Sequence, residues 1–253
     1  MTNPVLLAQL SDLHICDEWE GVDPVARLER VVEAVRALPN PVDAILVSGD
    51  LTDDGSEESY RRACHLLERL DAPLHALPGN HDDRRRLREA FDLPGSGEEP
   101  IDYGVMVGPL RVVVFDSIVP GQDPGAFPPE RLAWLDRELG RDGESPTLLA
   151  LHHPPLPTGI PEWDAINLTQ TDREAMAEVV GRHSQLRLIA GGHLHRTAVG
   201  AIAGCPVFSA PSACLQARPD FEGDAVELVG PSGFALHVLR DEDFSTQVEM
   251  LAS

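Results

Sequence analysis

Short apolar runs alternate with amphipathic stretches along the first part of the chain. Each run has the length of a buried strand, and each amphipathic stretch repeats its apolar residues at helical spacing. Asp23 followed by Pro24 is typical of a helix start, with an N-cap before the proline. The order strand, helix, strand, helix, strand predicts right-handed crossovers and a mostly parallel sheet. We predict strands at 5–10, 43–48 and 73–77 and helices at 24–38 and 56–70.

The rest of the chain predicts more than a parallel sheet. A hairpin at 102–116, turning at Gly108, would add antiparallel pairing. Thr171 and Glu174 have the spacing of a capping box for a helix at 172–183. The C-terminal part, 197–253, is β-rich and contains no predicted helix. We further predict a helix that follows the N-cap candidate Asp83 and ends at Phe91, a helix at 129–139, and strands at 147–151 and 186–190.

Composition favours one soluble globular domain. The chain has 253 residues, of which 42% are hydrophobic and 25% charged, so we expect a single domain over 1–253. No stretch approaches the ~20 apolar residues of a membrane-spanning helix, and the N-terminus lacks the basic and apolar regions of a secretory signal. Reduced thiols and a cytoplasmic location are expected, because the cysteines are too scattered for a metal or redox pair. They are Cys16, Cys64, Cys205 and Cys214.

The charge of the chain excludes several classes of protein. There are 42 acidic and 20 basic residues, which gives a net charge of -22. All the basic residues are arginine, so lysine Schiff-base chemistry and a P-loop are excluded. The acidic surface repels phosphate backbones and anionic lipids. We therefore expect neither a nucleic-acid nor a membrane partner.

Polar side chains that can bind metals follow five of the predicted strands. Asp12 and His14 lie two residues apart, as do His193 and His195, so we expect each pair to point to one face of an extended backbone. The carboxyl ends of strands in an open α/β sheet border one crevice, which would collect all these loops. The candidate ligands are Asp12, His14, Asp50, Asn80, His152, His193 and His195.

The mixture of donor atoms in this set indicates transition metals. Nitrogen and oxygen ligands together suit Mn, Fe, Co or Zn better than Ca or Mg, which prefer oxygen alone. Seven ligands are too many for one such ion. Two ions about 3.5–4 Å apart that share a bridging carboxylate would use them all. We expect two divalent transition-metal ions.

The motifs DLH, GD, GNHD, HHPP and GHLH, in this order, closely resemble the calcineurin-like metallophosphoesterase superfamily over residues 5 to about 200. The resemblance implies an α/β fold, a four-layer sandwich of two mixed β-sheets flanked by helices. It also implies hydrolysis of phosphate esters with a metal-bridging hydroxide as nucleophile. By resemblance, Asp12, His14 and His195 would bind one ion, Asn80, His152 and His193 the other, and Asp50 both.

His81 lies next to Asn80 but is not needed as a ligand. Because a leaving alkoxide needs a proton, we predict that His81 is the catalytic general acid. Both a pocket role and a packing role are compatible with the sequence for Cys16, His153 and Trp163, and Arg196 could meet a phosphate or pair with an acid.

Within the superfamily, GNHDD, HHPPLP and GGHLHR most resemble class III cyclic-nucleotide phosphodiesterases and the related glycerophosphodiesterases. PSACLQ at 211–216 resembles a PSTCxQ segment of the cyclic-nucleotide group, with Ala213 in place of threonine. The implied reaction is cleavage of 3′,5′-cyclic AMP to the 5′-nucleotide, with a glycerophosphodiesterase or a broad-specificity phosphodiesterase as the alternative.

Two other functions fit this resemblance less well. The acidic charge disfavours a nuclease, and the complete ligand set disfavours a non-catalytic metal-binding protein. Selectivity is expected from the loop at 158–168 that contains Trp163, from the turn at 16–19 and from 211–216. The oligomeric state stays open, with a homodimer as one alternative.

Overall fold

A computed structural model describes residues 3–222 and 227–252 of the chain. Strands and helices alternate in the first part, and the described C-terminal part contains strands only, as predicted. The strands are β1 (Val5–Leu10), β2 (Ala44–Ser48), β3 (Leu74–Leu77), β4 (Tyr103–Val107), β5 (Leu110–Val114), β6 (Thr147–Ala150), β7 (Leu186–Gly191), β8 (Ala198–Ile202), β9 (Cys205–Ser209), β10 (Gln216–Ala217), β11 (Leu228–Val229), β12 (Gly233–Arg240) and β13 (Asp243–Met250). The α-helices are α1 (Pro24–Arg36), α2 (Glu57–Leu67), α3 (Arg84–Phe91), α4 (Pro129–Leu139), α5 (Pro161–Ile166) and α6 (Gln170–Val180).

The strands form two large mixed sheets. The first has the order β13-β12-β1-β2-β3, with β1, β2 and β3 parallel and β12 antiparallel to β1 and β13. The second has the order β4-β5-β6-β7-β9-β8, parallel in its four central strands and antiparallel at both edges. The predicted hairpin is β4 and β5. The C-terminal part contributes strands to both sheets, so neither sheet is complete without it.

Apolar side chains on both faces of each sheet produce four layers. Leu7 of β1 and Leu148 of β6 belong to the cluster between the sheets. Leu10, three residues after Leu7 on β1, points to the other face, where it packs in a cluster with Val31 of α1. A third cluster, which includes Leu135 of α4, covers the outer face of the second sheet. The central strands are apolar along their whole length because both of their faces are buried. The two sheets and the helices outside them confirm the predicted four-layer sandwich.

The helices of the described residues are short. None of them is long and apolar enough to cross a membrane. Residues 158–168 were expected to form a loop, but they contain α5, which begins at Pro161. The second predicted helix is also divided, because a 3₁₀ turn at Glu68–Leu70 follows α2.

Helix α6 begins earlier than the predicted capping box. Its N-cap is Thr169, whose hydroxyl oxygen accepts a hydrogen bond from the Asp172 N–H at 3.2 Å. The prediction of Thr171 as the cap was wrong, because Thr171 already lies within the first turn. A tertiary contact favours this start of the helix, since the Asp172 carboxylate also accepts a hydrogen bond from the Phe127 N–H.

Thr169→Ala is expected to lower the free energy of unfolding by about 1 kcal/mol, the usual worth of an N-cap hydroxyl. Thr171→Ala is the matched control and should change it little, because this threonine caps nothing in α6. Urea unfolding of the two variants measures the difference. Equal losses in both would contradict the assignment of the cap.

Candidate metal centre

The seven predicted ligands meet at the carboxyl ends of the two sheets. Strands β1, β2 and β3 of the first sheet and β6 and β7 of the second lead into the loops that carry them. Parallel strands end at a common edge, so the loops after them share one crevice. The first sheet positions Asp12, His14, Asp50 and Asn80, and the second positions His152, His193 and His195.

Four of the seven form a tight, buried group. One donor atom from each of Asp12, His14, Asp50 and His195 lies within 4.8 Å of the others. His14 Nε2 and His195 Nε2 are 3.0 Å apart. Asp12 Oδ1 lies 3.8 Å from His195 Nε2.

The other three, Asn80, His152 and His193, lie next to one another, and His152 also faces Asp50. His152 Nε2 is 3.2 Å from Asp50 Oδ2 and 3.1 Å from Asn80 Oδ1. The His193 ring stands edge-on to the His152 ring, with 5.1 Å between centroids. The same Asp50 Oδ2 lies 3.7 Å from His14 Nε2, so one carboxylate oxygen faces both groups.

Backbone carbonyls fix the tautomers of three of the imidazoles. A carbonyl only accepts hydrogen bonds, so the ring nitrogen against it carries the hydrogen. In the neutral form of each ring, the other nitrogen carries the lone pair that can bind a metal, and His152 would release its second proton to do so. The contacts are His152 Nδ1 to Ser48 O at 2.9 Å, His193 Nε2 to Ile166 O at 3.0 Å and His195 Nδ1 to Leu215 O at 3.0 Å.

Two features of the centre test whether metal ions fit it. His14 Nδ1 faces the Asp53 carboxylate, so the Nε2 atoms of His14 and His195 turn lone pairs toward each other at 3.0 Å. Asp12 Oδ2 is buried and has no hydrogen-bond partner among the described residues. Facing lone pairs and an unpaired buried carboxylate oxygen both cost free energy. Cations would relieve both costs, so the donor set fits the metal ions that the resemblance implies.

Asp50 and His152 form a buried acid–base pair. Burial opposes the charge of each group, but their mutual attraction outweighs it. The pKa of Asp50 is therefore held well below its usual range, and the pKa of His152 is raised to about 9. Asp50 stays ionised and presents a full negative charge to both groups of ligands.

The prediction that the ligand pairs lie on extended backbone was wrong, because the backbone of the ligand loops turns. The loops after β1 and β2 are tied together, because the N–H groups of Leu13 and His14 both donate to Asp50 O. Residues with positive φ are rare outside glycine and concentrate at functional sites, where the surroundings hold them in place. Five of the seven candidates have positive φ: Asp12 (53°), His14 (46°), Asp50 (49°), His193 (67°) and His195 (47°).

Two glycines allow the loops to approach this closely. A Cβ on Gly49 would lie 2.2 Å from His152 Nδ1, and one on Gly79 would lie 2.1 Å from Asp50 Oδ1. Gly49 also has a backbone φ of +96°, which residues with a side chain rarely adopt. The glycines of the GD and GN motifs are therefore required by the packing of the centre.

Asp53 is a functional candidate that the sequence analysis missed. Its Oδ1 lies 3.1 Å from His14 Nδ1 and 3.2 Å from His81 Nδ1. Hydrogen bonds with His14 and His81 hold the pKa of Asp53 well below its usual range. Its only sequence signal was its place three residues after Asp50 in GDLTDD. Asp53 connects a predicted ligand to the predicted general acid.

His81 borders a cavity of about 360 Å³ beside the seven candidates. Its Nδ1 faces Asp53, and its backbone N–H donates to Asp50 Oδ1 at 3.0 Å. Partial burial opposes a charge on the ring, but the hydrogen bond with Asp53 and the charge of Asp50 raise the pKa of His81 to about 10. The environment therefore favours the protonated imidazolium that a general acid needs.

Asp53→Asn is expected to weaken Mn²⁺ binding by ~10–100-fold, because the His14 imidazole loses an ionised acceptor that orients it. A titration against a metal-binding dye measures the affinity. Asp54→Asn is the matched control, since the Asp54 carboxylate accepts from the Ser56 N–H and not from a ring. Unchanged Mn²⁺ affinity in Asp53→Asn would contradict the role of this carboxylate.

Two indole rings flank the centre. The Trp19 ring is parallel to the His14 ring, with 4.0 Å between centroids and 6° between planes. Trp163 lies against His195 at 5.9 Å and 27°. Trp163 is 6% exposed, and its Nε1 has no hydrogen-bond partner among the described residues. Both rings border the cavity, as the sequence predicted for the turn at 16–19 and the Trp163 segment.

The segment 211–216 supports the ligand loops. None of its residues borders the cavity, so the prediction that it forms one of the cavity walls was wrong. Ser212 Oγ donates to Asp12 O at 2.8 Å, and the Ala213 N–H donates to Ser11 O at 2.8 Å. Leu215 O accepts from His195 Nδ1. The segment therefore holds the backbone of Asp12 and the side chain of His195.

Three other residues with open roles make local contacts. Their hydrogen bonds go to other groups than the predicted ligands, but the His153 ring also packs against the rings of His152 and His193, with centroids 4.9 and 4.4 Å away. His153 bonds to Ser117 Oγ and Asp123 O, both at 2.8 Å, Cys16 Sγ donates to Glu18 O at 3.3 Å, and Arg196 donates to Ala217 O at 3.1 Å.

Comparisons with known proteins agree with this geometry. Residues 5–197 match the model of the family described as calcineurin-like phosphoesterase. The chain is 30% identical to a probable glycerophosphodiester phosphodiesterase GpdQ of Arcobacter nitrofigilis, over 94% of this chain and 90% of the relative. It is 34% identical to the 3′,5′-cyclic adenosine monophosphate phosphodiesterase CpdA of Pseudomonas aeruginosa, over 94% of this chain and 86% of the relative.

A solved structure supports the fold separately. A dimetal phosphatase from Danio rerio superposes with a TM-score of 0.72 at 16% identity, covering 96% of this chain and 95% of that one. The family match, the two relatives and the shared fold lead to one conclusion. The chain belongs to the calcineurin-like phosphoesterase family.

Proposed function

We propose that this chain is a metal-dependent phosphodiesterase that cleaves 3′,5′-cyclic AMP to 5′-AMP. The observation that carries the proposal is the position of Asp50 Oδ2, which faces imidazole nitrogens of both ligand groups at 3.7 and 3.2 Å. Family membership and the cyclic AMP phosphodiesterase relative support it. We assign Asp12, His14 and His195 to one divalent transition-metal ion, Asn80, His152 and His193 to a second, and Asp50 to both.

The chain's own residues account for substrate attraction and for the leaving group. Two bound divalent ions would supply a water of pKa near ~7 and an electrostatic clamp on a phosphoryl oxygen. Asp12 and Asp50 only partly neutralise such a centre, so an anionic diester is attracted despite the acidic surface. Asp53 holds His81 through Nδ1, which leaves Nε2–H to protonate the leaving oxygen at the cavity.

The cavity walls support a diester with an aromatic group. Trp19 borders the cavity and is only half-buried, so its indole offers a surface on which a base can stack, whereas the buried Trp163 closes the wall beside it. Glu20 and Asp123 also border the cavity, and no arginine does so among the described residues. A phosphomonoester brings a second negative charge toward these carboxylates, so it should bind less well than a diester.

The experiment is a side-by-side assay of the Mn²⁺-loaded protein on cyclic AMP, glycerophosphoethanolamine, bis-p-nitrophenyl phosphate and p-nitrophenyl phosphate. We expect turnover of cyclic AMP and of the aryl diester, with the monoester the poorest substrate. Turnover of the glycerophosphodiester with inert cyclic AMP would select the alternative activity. Dominant monoester turnover would overturn both.

The setting of the protein belongs to the same proposal. The four cysteines are free, which supports a reducing compartment, and we propose the cytoplasm. The charge of -22 supports a small-molecule substrate over nucleic acid or a membrane surface. Because residues 197–253 contribute strands to both sheets, we propose that 1–253 forms one domain.

A further inference from the structure

Gln9 lies on the inner face of β1, between the two sheets. It is fully buried, and it points to the same side as Leu7, which belongs to the apolar cluster between the sheets. A polar side chain in such a layer costs free energy unless its groups are hydrogen-bonded. Its contacts therefore explain why it is tolerated there.

The amide of Gln9 connects the two sheets. Nε2 donates to Ser48 Oγ of β2 at 2.7 Å and to Gly191 O of β7 at 3.0 Å. Oε1 accepts from His237 Nε2 at 2.9 Å, and His237 Nδ1 pairs with Thr246 Oγ1 at 2.9 Å. Every polar atom of the Gln9 side chain is satisfied, and Ser48 and Gly191 belong to opposite sheets.

Both of these partners lead into ligand loops. Ser48 precedes Asp50 by two residues, and its carbonyl accepts from His152 Nδ1 at 2.9 Å. Gly191 is the last residue of β7 and precedes His193 by two residues. The bridge through Gln9 therefore lies directly beneath the candidate metal centre.

We propose that Gln9 is a positioning residue that sets the spacing of the two sheets under the centre, and with it the fit of both metal ions. The inference rests on the proposed function, in which each ion takes ligands from both sheets. Ligand distances in a metal site tolerate changes of only about 0.2 Å. A small shift of one sheet would therefore weaken binding at both positions.

Gln9→Met tests this role, because methionine has a similar length and cannot bridge the sheets. We expect Mn²⁺ affinity to fall by ~10–100-fold, as for other partners that orient ligands. We also expect the electron paramagnetic resonance spectrum of a coupled Mn²⁺ pair to be replaced by that of isolated Mn²⁺. Thr246→Val is the matched control: it removes a hydrogen bond from the same network but leaves the bridge intact.

A purely structural role predicts a different result. In that case Gln9→Met would lower the melting temperature, as Thr246→Val does, and both would bind Mn²⁺ with wild-type affinity and spectrum. That outcome would overturn the inference. If Gln9→Met does not fold, Gln9→Leu decides, since it also removes the hydrogen bond to Gly191 O of the second sheet and should weaken Mn²⁺ binding in the same direction.

Asp50→Asn separates this inference from the proposed function. Loss of metal in Asp50→Asn with wild-type Mn²⁺ binding in Gln9→Met would overturn the role of Gln9 alone. Full metal content in Asp50→Asn would overturn the proposed centre and the Gln9 inference together.

Discussion

Asp50→Asn is expected to remove at least one metal ion and to lower turnover by roughly 10³-fold or more. The bridging carboxylate contributes to several kcal/mol of charge stabilisation, and each ~1.4 kcal/mol changes the rate tenfold. The carboxylate oxygen that faces both ligand groups becomes part of a neutral amide. Asparagine keeps the shape of the side chain and can still accept from the His81 N–H. The loss would therefore report the bridging charge and not the packing.

Metal analysis of the purified variant, together with turnover of bis-p-nitrophenyl phosphate, measures both effects. Asp142→Asn is the control, because this aspartate accepts from the N–H groups of Glu144 and Ser145 in an exposed turn. It should keep wild-type metal content and turnover. Full occupancy and near wild-type turnover in Asp50→Asn would refute the assignment of the bridge.

His81→Ala is expected to retain both metal ions and to slow turnover by ~10²–10⁴, the usual contribution of a positioned acid or base. His81 is well placed for this role, since Asp53 binds its Nδ1 and the ring borders the cavity. The loss should be smaller for substrates with p-nitrophenolate as leaving group, because that anion needs no proton to depart. Turnover of aryl and alkyl diesters measures the contrast.

His65→Ala is the control for this prediction, since His65 is an exposed residue of α2. It should leave turnover unchanged. An equal loss for good and poor leaving groups in His81→Ala would show that His81 orients the phosphate or the ligands and does not donate a proton.

Local patterns in the sequence predicted most of the elements of the first part of the chain, although not α5, and the resemblance of the motifs gave the fold class and the family. Both faces of the central strands are buried, so these strands read as apolar runs whose ends are easy to recognise. The candidate ligands follow those ends. Because parallel strands end at a common edge of a sheet, the sequence alone predicted that these ligands lie close together. The seven residues that the structure brings together are therefore the seven that the sequence suggested, and their assignment to metals stays a prediction.

The tertiary structure decided everything that depends on contacts between distant segments. Asp53 faces His14 across 39 residues of sequence, and Gln9 bonds to Gly191 across 182, and no local periodicity reports such pairs. The left-handed turns at Asp12 and the other ligands arise because neighbouring loops are hydrogen-bonded to each other, which overrides the extended backbone that strand ends suggest. The start of α6 also depends on a distant segment, because the Asp172 carboxylate accepts a hydrogen bond from the Phe127 N–H.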